Sequence, residues 1–209
     1  MNVETLKINI LEFLKGNFII SKELIRGFLL TDSNNNAIMI DYQICDKTNP
    51  FKYNEYTKEQ NSLMFKYDSC YRFLIDDEKD FEDFKSIYSH IKNNDFNQDS
   101  IKQSGINREL KEIDPTLPEA YFESAFIDCY GRESLSKIRR EFPIIDFEGQ
   151  TRWVDYLIKH KNYNIAIEKN GESYHHPIIT GKTKYKSQLH KQNSLVAYGF
   201  KVFRWSFRE

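Results

Sequence analysis

A chain of 209 residues is long enough for one sizeable core, or for a modest core with a small appended domain. Its 40% hydrophobic, 15% aromatic and 29% charged residues describe a soluble globular protein, and no stretch approaches the roughly 20 apolar residues of a membrane span. The net charge of -1 is unevenly shared: residues 1–117 hold 15 Lys/Arg against 20 Asp/Glu, and residues 118–209 hold 15 against 11. The basic second half suits a phosphate-facing surface, because Lys and Arg gain affinity by releasing counterions. The start, MNVETLKINILEFLKG, is too acidic and too amphipathic for a secretory signal. Cys45, Cys70 and Cys129 are odd in number and widely spaced, as buried free thiols in a reducing cytoplasm would be.

The first half reads as an α+β unit. Leu6, Ile8, Ile10, Leu11 and Leu14 mark a short helix over 3–14 that stops at Gly16. Residues 23–30 and 36–44, separated by Asp32-Ser33-Asn34-Asn35, predict a hairpin, and 62–67 and 69–75 predict two further strands. Phe81, Phe84, Tyr88 and Ile91 give a helix over 80–92. The polar stretch 93–117 is the best boundary, so we expect an accessory or scaffold region over 1–110 and a second domain over 111–209. No internal repeat is evident, and residues 1–92 carry no chemical motif.

The second half predicts the order α-β-β-β-α-β. A helix runs from Pro118 to a stop at Gly131, with a stripe of Tyr121, Phe122, Ala125, Phe126 and Cys129 and with Glu119 and Glu123 on a neighbouring face. Strands follow at 138–146, 152–158 and 163–170, then a basic helix over 182–198 and a last strand over 200–206. A mixed sheet flanked by helices, an α/β fold, is the natural architecture. Asp155 and Glu168 each interrupt an apolar strand, where a lone carboxylate costs several kcal/mol unless compensated. If the two strands pair, both acids reach one edge of the sheet, and Glu123 approaches from the helix before them. Carboxylates so grouped, with a charge-stabilising group nearby, are what metal-dependent phosphodiester hydrolysis requires.

Several motifs in order carry a resemblance. Glu123 is followed by Trp153-Val154-Asp155, Ile167-Glu168-Lys169-Asn170-Gly171, Tyr174-His175-His176-Pro177, a basic helix and Gly199-Phe200-Lys201-Val202-Phe203-Arg204. This series resembles the PD-(D/E)xK endonuclease-like superfamily, and within it the small domains similar to very-short-patch repair endonucleases, found alone or fused to bacterial helicases. The resemblance covers only the C-terminal half. It implies a restriction-endonuclease-like core and a cytoplasmic nuclease that cleaves DNA, or RNA, with Mg²⁺ or Mn²⁺. Asp155 and Glu168 would hold the metal, assisted by Glu123 and the Lys169 carbonyl. A helicase in the same chain or complex is the partner it implies, with this chain as the nuclease piece of a longer protein.

The sequence departs from the pattern at one position. The superfamily's lysine, two residues after the glutamate, is here Asn170, and Lys169 falls on the opposite strand face from Glu168. Lys184, Gln188, Lys191 and Gln192 share one face of the following helix, so Lys184 or Lys191 is expected to take the lysine's role, with Lys182 a further candidate. One of His175 and His176 is expected at the phosphate or the attacking water; we assign His176 to catalysis and His175 to nucleic-acid contact. Arg152, Lys169, Lys182, Gln188, Gln192 and Arg204 complete the expected nucleic-acid surface. The competing reading is a nuclease-like domain without cleavage that binds nucleic acid or a protein, which the missing lysine favours.

Overall fold

Short stretches of period-2 and period-3.6 hydrophobicity alternate along the chain, and among the described residues they build two four-stranded mixed sheets with helices against them. The computed structural model describes residues 3–15, 19–24, 27–32, 37–41, 52–67, 69–93, 118–159, 164–170 and 181–206. In the first half, α1 (Val3–Lys15) leads into β1 (Ile19–Leu24), β2 (Gly27–Thr31) and β3 (Ala37–Asp41). Helix α2 (Lys52–Lys66) crosses over to β4 (Cys70–Leu74), and α3 (Glu78–Asn93) follows. In the second half, α4 (Pro118–Tyr130) leads through a 3-10 turn into β5 (Ile138–Ile145), β6 (Thr151–Lys159) and β7 (Asn164–Asn170). Helix α5 (Lys182–Ala197) crosses to β8 (Phe200–Ser206).

The second half matches its predicted order throughout, whereas the first departs in two places. Residues 62–67, expected as a strand, are the last turn of α2 and the residue after it, and the expected strand over 23–30 is split between β1 and β2. Helix α4 is also rotated from its expected stripe. Tyr121, Ala125 and Cys129 are exposed, while Phe122, Glu123 and Phe126 turn toward the sheet. Its end is as expected: Gly131 adopts φ 81, a left-handed conformation that costs glycine nothing, and its N–H donates to the Ile127 carbonyl at 2.8 Å.

Each sheet has three strands in two antiparallel pairings and a fourth strand parallel to the third, in the orders β1-β2-β3-β4 and β5-β6-β7-β8. The crossover helices α2 and α5 supply the long connection that a parallel pair demands. The two halves thus repeat one order of elements, although no repeat was expected from the sequence. One apolar core serves both, drawing Ile10, Leu30, Ile38 and Phe84 from the first half and Val154, Leu157, Ala166 and Val202 from the second.

Among the described residues strands β4 and β8 are sheet edges, and an uncovered edge leaves backbone N–H and C=O groups unpaired. Each is covered by the other half's helix, α5 over β4 and α2 over β8. Asn193 of α5 accepts from the Arg72 N–H at 2.9 Å and donates to its carbonyl at 2.8 Å. Asn61 of α2 does the same at Arg204, at 3.0 and 2.6 Å. At each edge one residue's N–H and C=O are satisfied by a side chain shaped like the missing peptide.

An ion cluster also joins the halves. Lys182 and Lys186 at the start of α5 lie 2.7 and 2.6 Å from the carboxylate of Asp80, which accepts the Asp76 N–H at 3.0 Å. Burial pushes the Asp80 carboxyl up, but the two lysine hydrogen bonds and the amide outweigh it, and the net direction is down from 3.8. A carboxyl whose folded value lies below its unfolded one contributes stability above the unfolded value, and that contribution is lost as pH falls through the folded one. Asp80→Asn is therefore expected to lower stability by about 2 kcal/mol near neutral pH. The gap from wild type should close once pH falls well below the ordinary carboxylate value, as read from urea midpoints at both ends. A gap of equal size in acid would contradict the linkage.

Candidate functional site

Adjacent strands bring the two acids together. The β6–β7 register pairs Tyr156 with Ile167 and Leu157 with Ala166, so Asp155 and Glu168 come next along the same ladder. The Lys169 N–H donates to Asp155 Oδ2 at 2.7 Å, which fixes that carboxylate against β7. Glu168 is 6% exposed; its Oε2 accepts from Lys191 Nζ at 2.6 Å, while its Oε1 is buried without a hydrogen-bond partner. Burial pushes the Glu168 carboxyl above its ordinary value, as does the charge of Asp155; Lys191 and Arg204 pull it back. A buried, half-satisfied carboxyl of this kind is the arrangement a cation would relieve.

Lys191 therefore stands beside the acids from the expected helix face. Lys184 is exposed on that helix, and Lys182 is turned to Asp77, just before α3, and Asp80 in its first turn. Lys169 ion-pairs with Glu119 of α4 and lies over the Tyr156 ring, on the sheet face opposite Glu168. Its strand parity is as expected, and its side chain is engaged by Glu119 and the Tyr156 ring.

Other expected roles are redistributed. Glu123 is held by Arg140 through both Nε and Nη2 and accepts from Tyr156 Oη at 2.9 Å. It belongs with the small cluster of Ile138, Tyr156 and Ile167 under α4, away from Lys191 and the acid pair. Among the described residues, no three His, Cys, Asp or Glu side chains are grouped to hold a metal. Sequence reasoning missed Arg140 and Tyr156 as the partners of Glu123. The signal was the cross-strand pairing of these two residues in β5 and β6. Burial and the Glu123 hydrogen bond push the Tyr156 phenol well above its ordinary value.

Arg152 binds Asp146 at 2.6 Å and Glu148 at 3.7 Å, and so braces the β5–β6 turn. Two residues expected on the nucleic-acid surface are buried: Gln192 is 0% exposed and Arg204 4%. Arg204 Nη2 donates to the Gln188 carbonyl at 3.2 Å, so this arginine ties β8 to α5 behind the acid pair. His175 and His176 lie outside the described residues, as does the side chain of Asn170. Of the three cysteines, Cys70 is buried, Cys129 is exposed, and Cys45 lies outside the described residues. Among the described residues, no helix is long and apolar enough to cross a membrane.

Neither a family model, nor a curated protein, nor a solved structure matches the chain.

Proposed function

We propose that Asp155, Glu168 and Lys191 form the centre of a divalent-metal-dependent nuclease that hydrolyses DNA phosphodiester bonds. The observation that carries this reading is Glu168: a buried carboxylate beside a second carboxylate, with one oxygen on a lysine and the other without a partner. The order helix, three strands, helix and parallel strand supports reading the second half as a restriction-endonuclease-like core.

Asp155 and Glu168 fit a hard cation by chemistry, being oxygen donors on neighbouring strands. A bound Mg²⁺ or Mn²⁺ would polarise a phosphoryl oxygen and make water more acidic. The chain's own groups do the rest. The Lys169 amide holds Asp155 in place, so its carboxylate needs no reorganisation. Lys191, on a rigid helix, offers an ammonium where the scissile phosphate gains charge. The Glu168–Lys191 ion pair also supports the rival reading of binding without cleavage, since it partly neutralises the acid without a metal.

Incubation with plasmid, linear DNA and RNA, each with Mg²⁺, Mn²⁺ or EDTA, separates these readings. The nuclease reading expects metal-dependent, EDTA-sensitive cleavage of DNA. Retarded DNA that stays intact under every condition would favour binding alone.

A further inference from the structure

The two halves share more than an order of elements. Lys52-Tyr53, Gln60-Asn61-Ser62-Leu63 and Arg72 recur as Lys184-Tyr185, Gln192-Asn193-Ser194-Leu195 and Arg204, all at the single spacing that separates Arg72 from Arg204. The matched residues occupy matched places: α2 and β4 in one half, α5 and β8 in the other. Their contacts are reciprocal, for Asn61 clamps Arg204 and Asn193 clamps Arg72. Contacts of the form i to j and j to i are the mark of a two-fold interface, here inside one chain.

Sheet register extends the correspondence to the acids. Glu168 pairs with Arg204, and Met39 pairs with Arg72. Tyr156 pairs with Ile167 as Leu30 pairs with Ile38, so Leu29 stands at the position of Asp155. The lysine position, Lys191, corresponds to Glu59. The first half therefore holds Leu29, Met39 and Glu59 where the second holds Asp155, Glu168 and Lys191. Leu29 and Met39 are 3% and 0% exposed and belong to the core. Thioether and alkyl groups are no ligands for a hard cation, and Glu59 reverses the sign of the lysine.

We propose that the chain is a fused pseudo-dimer with one working centre, which cuts one strand of duplex DNA per encounter and leaves a nick. This rests on reading Asp155 and Glu168 as a cleaving centre. Duplex DNA is the substrate that suits a two-fold protein, because its antiparallel strands are themselves related by two-fold axes. At the working centre a water oxygen bonds to phosphorus, one P–O ester bond breaks, and the leaving oxygen takes up a proton while the water loses one to solvent. Each nick consumes one water and yields a phosphate monoester and a hydroxyl. The strand presented to the first half meets no equivalent group.

The test follows supercoiled plasmid with Mn²⁺ or Mg²⁺ on a gel that resolves supercoiled, open-circular and linear forms. A linear duplex labelled on both strands is run in parallel on native and denaturing gels. Open circles should accumulate until the supercoiled form is gone, with linear DNA appearing only later. The labelled duplex should look cut under denaturing conditions and whole under native ones. Met39→Leu, confined to the first half, should nick as wild type does, and Glu168→Gln should not nick. Linear DNA formed alongside open circles from the first time point overturns the single-centre proposal while leaving the nuclease reading intact. Cleavage of single strands but not of duplex does the same. If no substrate is cut with either metal, the nuclease reading falls and the nick with it.

Discussion

Glu168→Gln is expected to reduce metal-dependent DNA cleavage by at least about 10³-fold while leaving the chain folded, since charge stabilisation at a metal centre supplies several kcal/mol of the barrier and each 1.36 kcal/mol is tenfold. Glutamine keeps the shape of the side chain and an oxygen for Lys191, but it loses the anion. The fold should tolerate the change, because burial already disfavours the Glu168 charge. Asp155→Asn should behave alike, though its amide loses part of the hydrogen bond from the Lys169 N–H. Circular dichroism and thermal melts of the variants, run beside cleavage assays, separate lost chemistry from lost structure. A further readout is the metal itself: Mg²⁺ or Mn²⁺ should raise the wild-type melting temperature and leave that of Glu168→Gln almost unmoved. Cleavage at the wild-type rate in either variant would remove the acid pair from the reaction.

Lys191→Ala is expected to cost about 10²–10³-fold in cleavage rate, the usual loss when a preorganised charge contact to the transition state is removed. Lys184→Ala and Lys169→Ala should do far less. The difference is positional: Lys191 lies 2.6 Å from Glu168, whereas Lys169 is bound to Glu119 on the other face of the sheet. The alanine also leaves Glu168 without its cation, so Lys191→Arg is the informative companion. Arginine keeps the charge and should recover much of the rate if charge is what matters. Measurement at two salt concentrations adds a check, because loss of a mere phosphate contact weakens binding and flattens its salt dependence. A dead Lys169→Ala beside a normal Lys191→Ala would reverse the assignment.

The second half was legible because each element there carries its own punctuation. Pro118 and Gly131 bracket α4, and Asp155 and Glu168 stand out as charges within apolar strands. The first half was harder for a physical reason. Helix α2 reads KYNEYTKEQNSLMFK, polar for most of its length, and its only apolar run, Leu63-Met64-Phe65, mimics a strand. That run is divided by the fold: Met64 is buried, while Phe65 is largely exposed and meets the Phe203 ring of β8 at 4.8 Å. A contact made across the halves leaves no local period to read. Glu123 failed differently. Its place on the helix before the two acid strands, and the resemblance, suggested a metal ligand, yet a guanidinium and a phenol from β5 and β6 hold it. Only the strand pairing brings those two groups side by side. Arg204, from the closing-strand motif, and Gln192, from the basic helix face, were expected on the nucleic-acid surface, but where α5 packs on the sheet both side chains are buried.

The tetrapeptide Gln-Asn-Ser-Leu occurs at residues 60–63 and again at 192–195, too short to read as a repeat without the fold, and its weight comes from what its asparagine does. Asn61 and Asn193 each complete a sheet edge that belongs to the other half, so neither half owns all the partners its backbone needs. The acid pair lies wholly within residues 118–209, yet that segment is not a portable cassette. Expressed alone it would bare the Arg204 peptide groups on β8, an invitation to stack with another copy edge to edge. Whoever grafts this centre onto another scaffold must bring α2 along or supply a surrogate for Asn61.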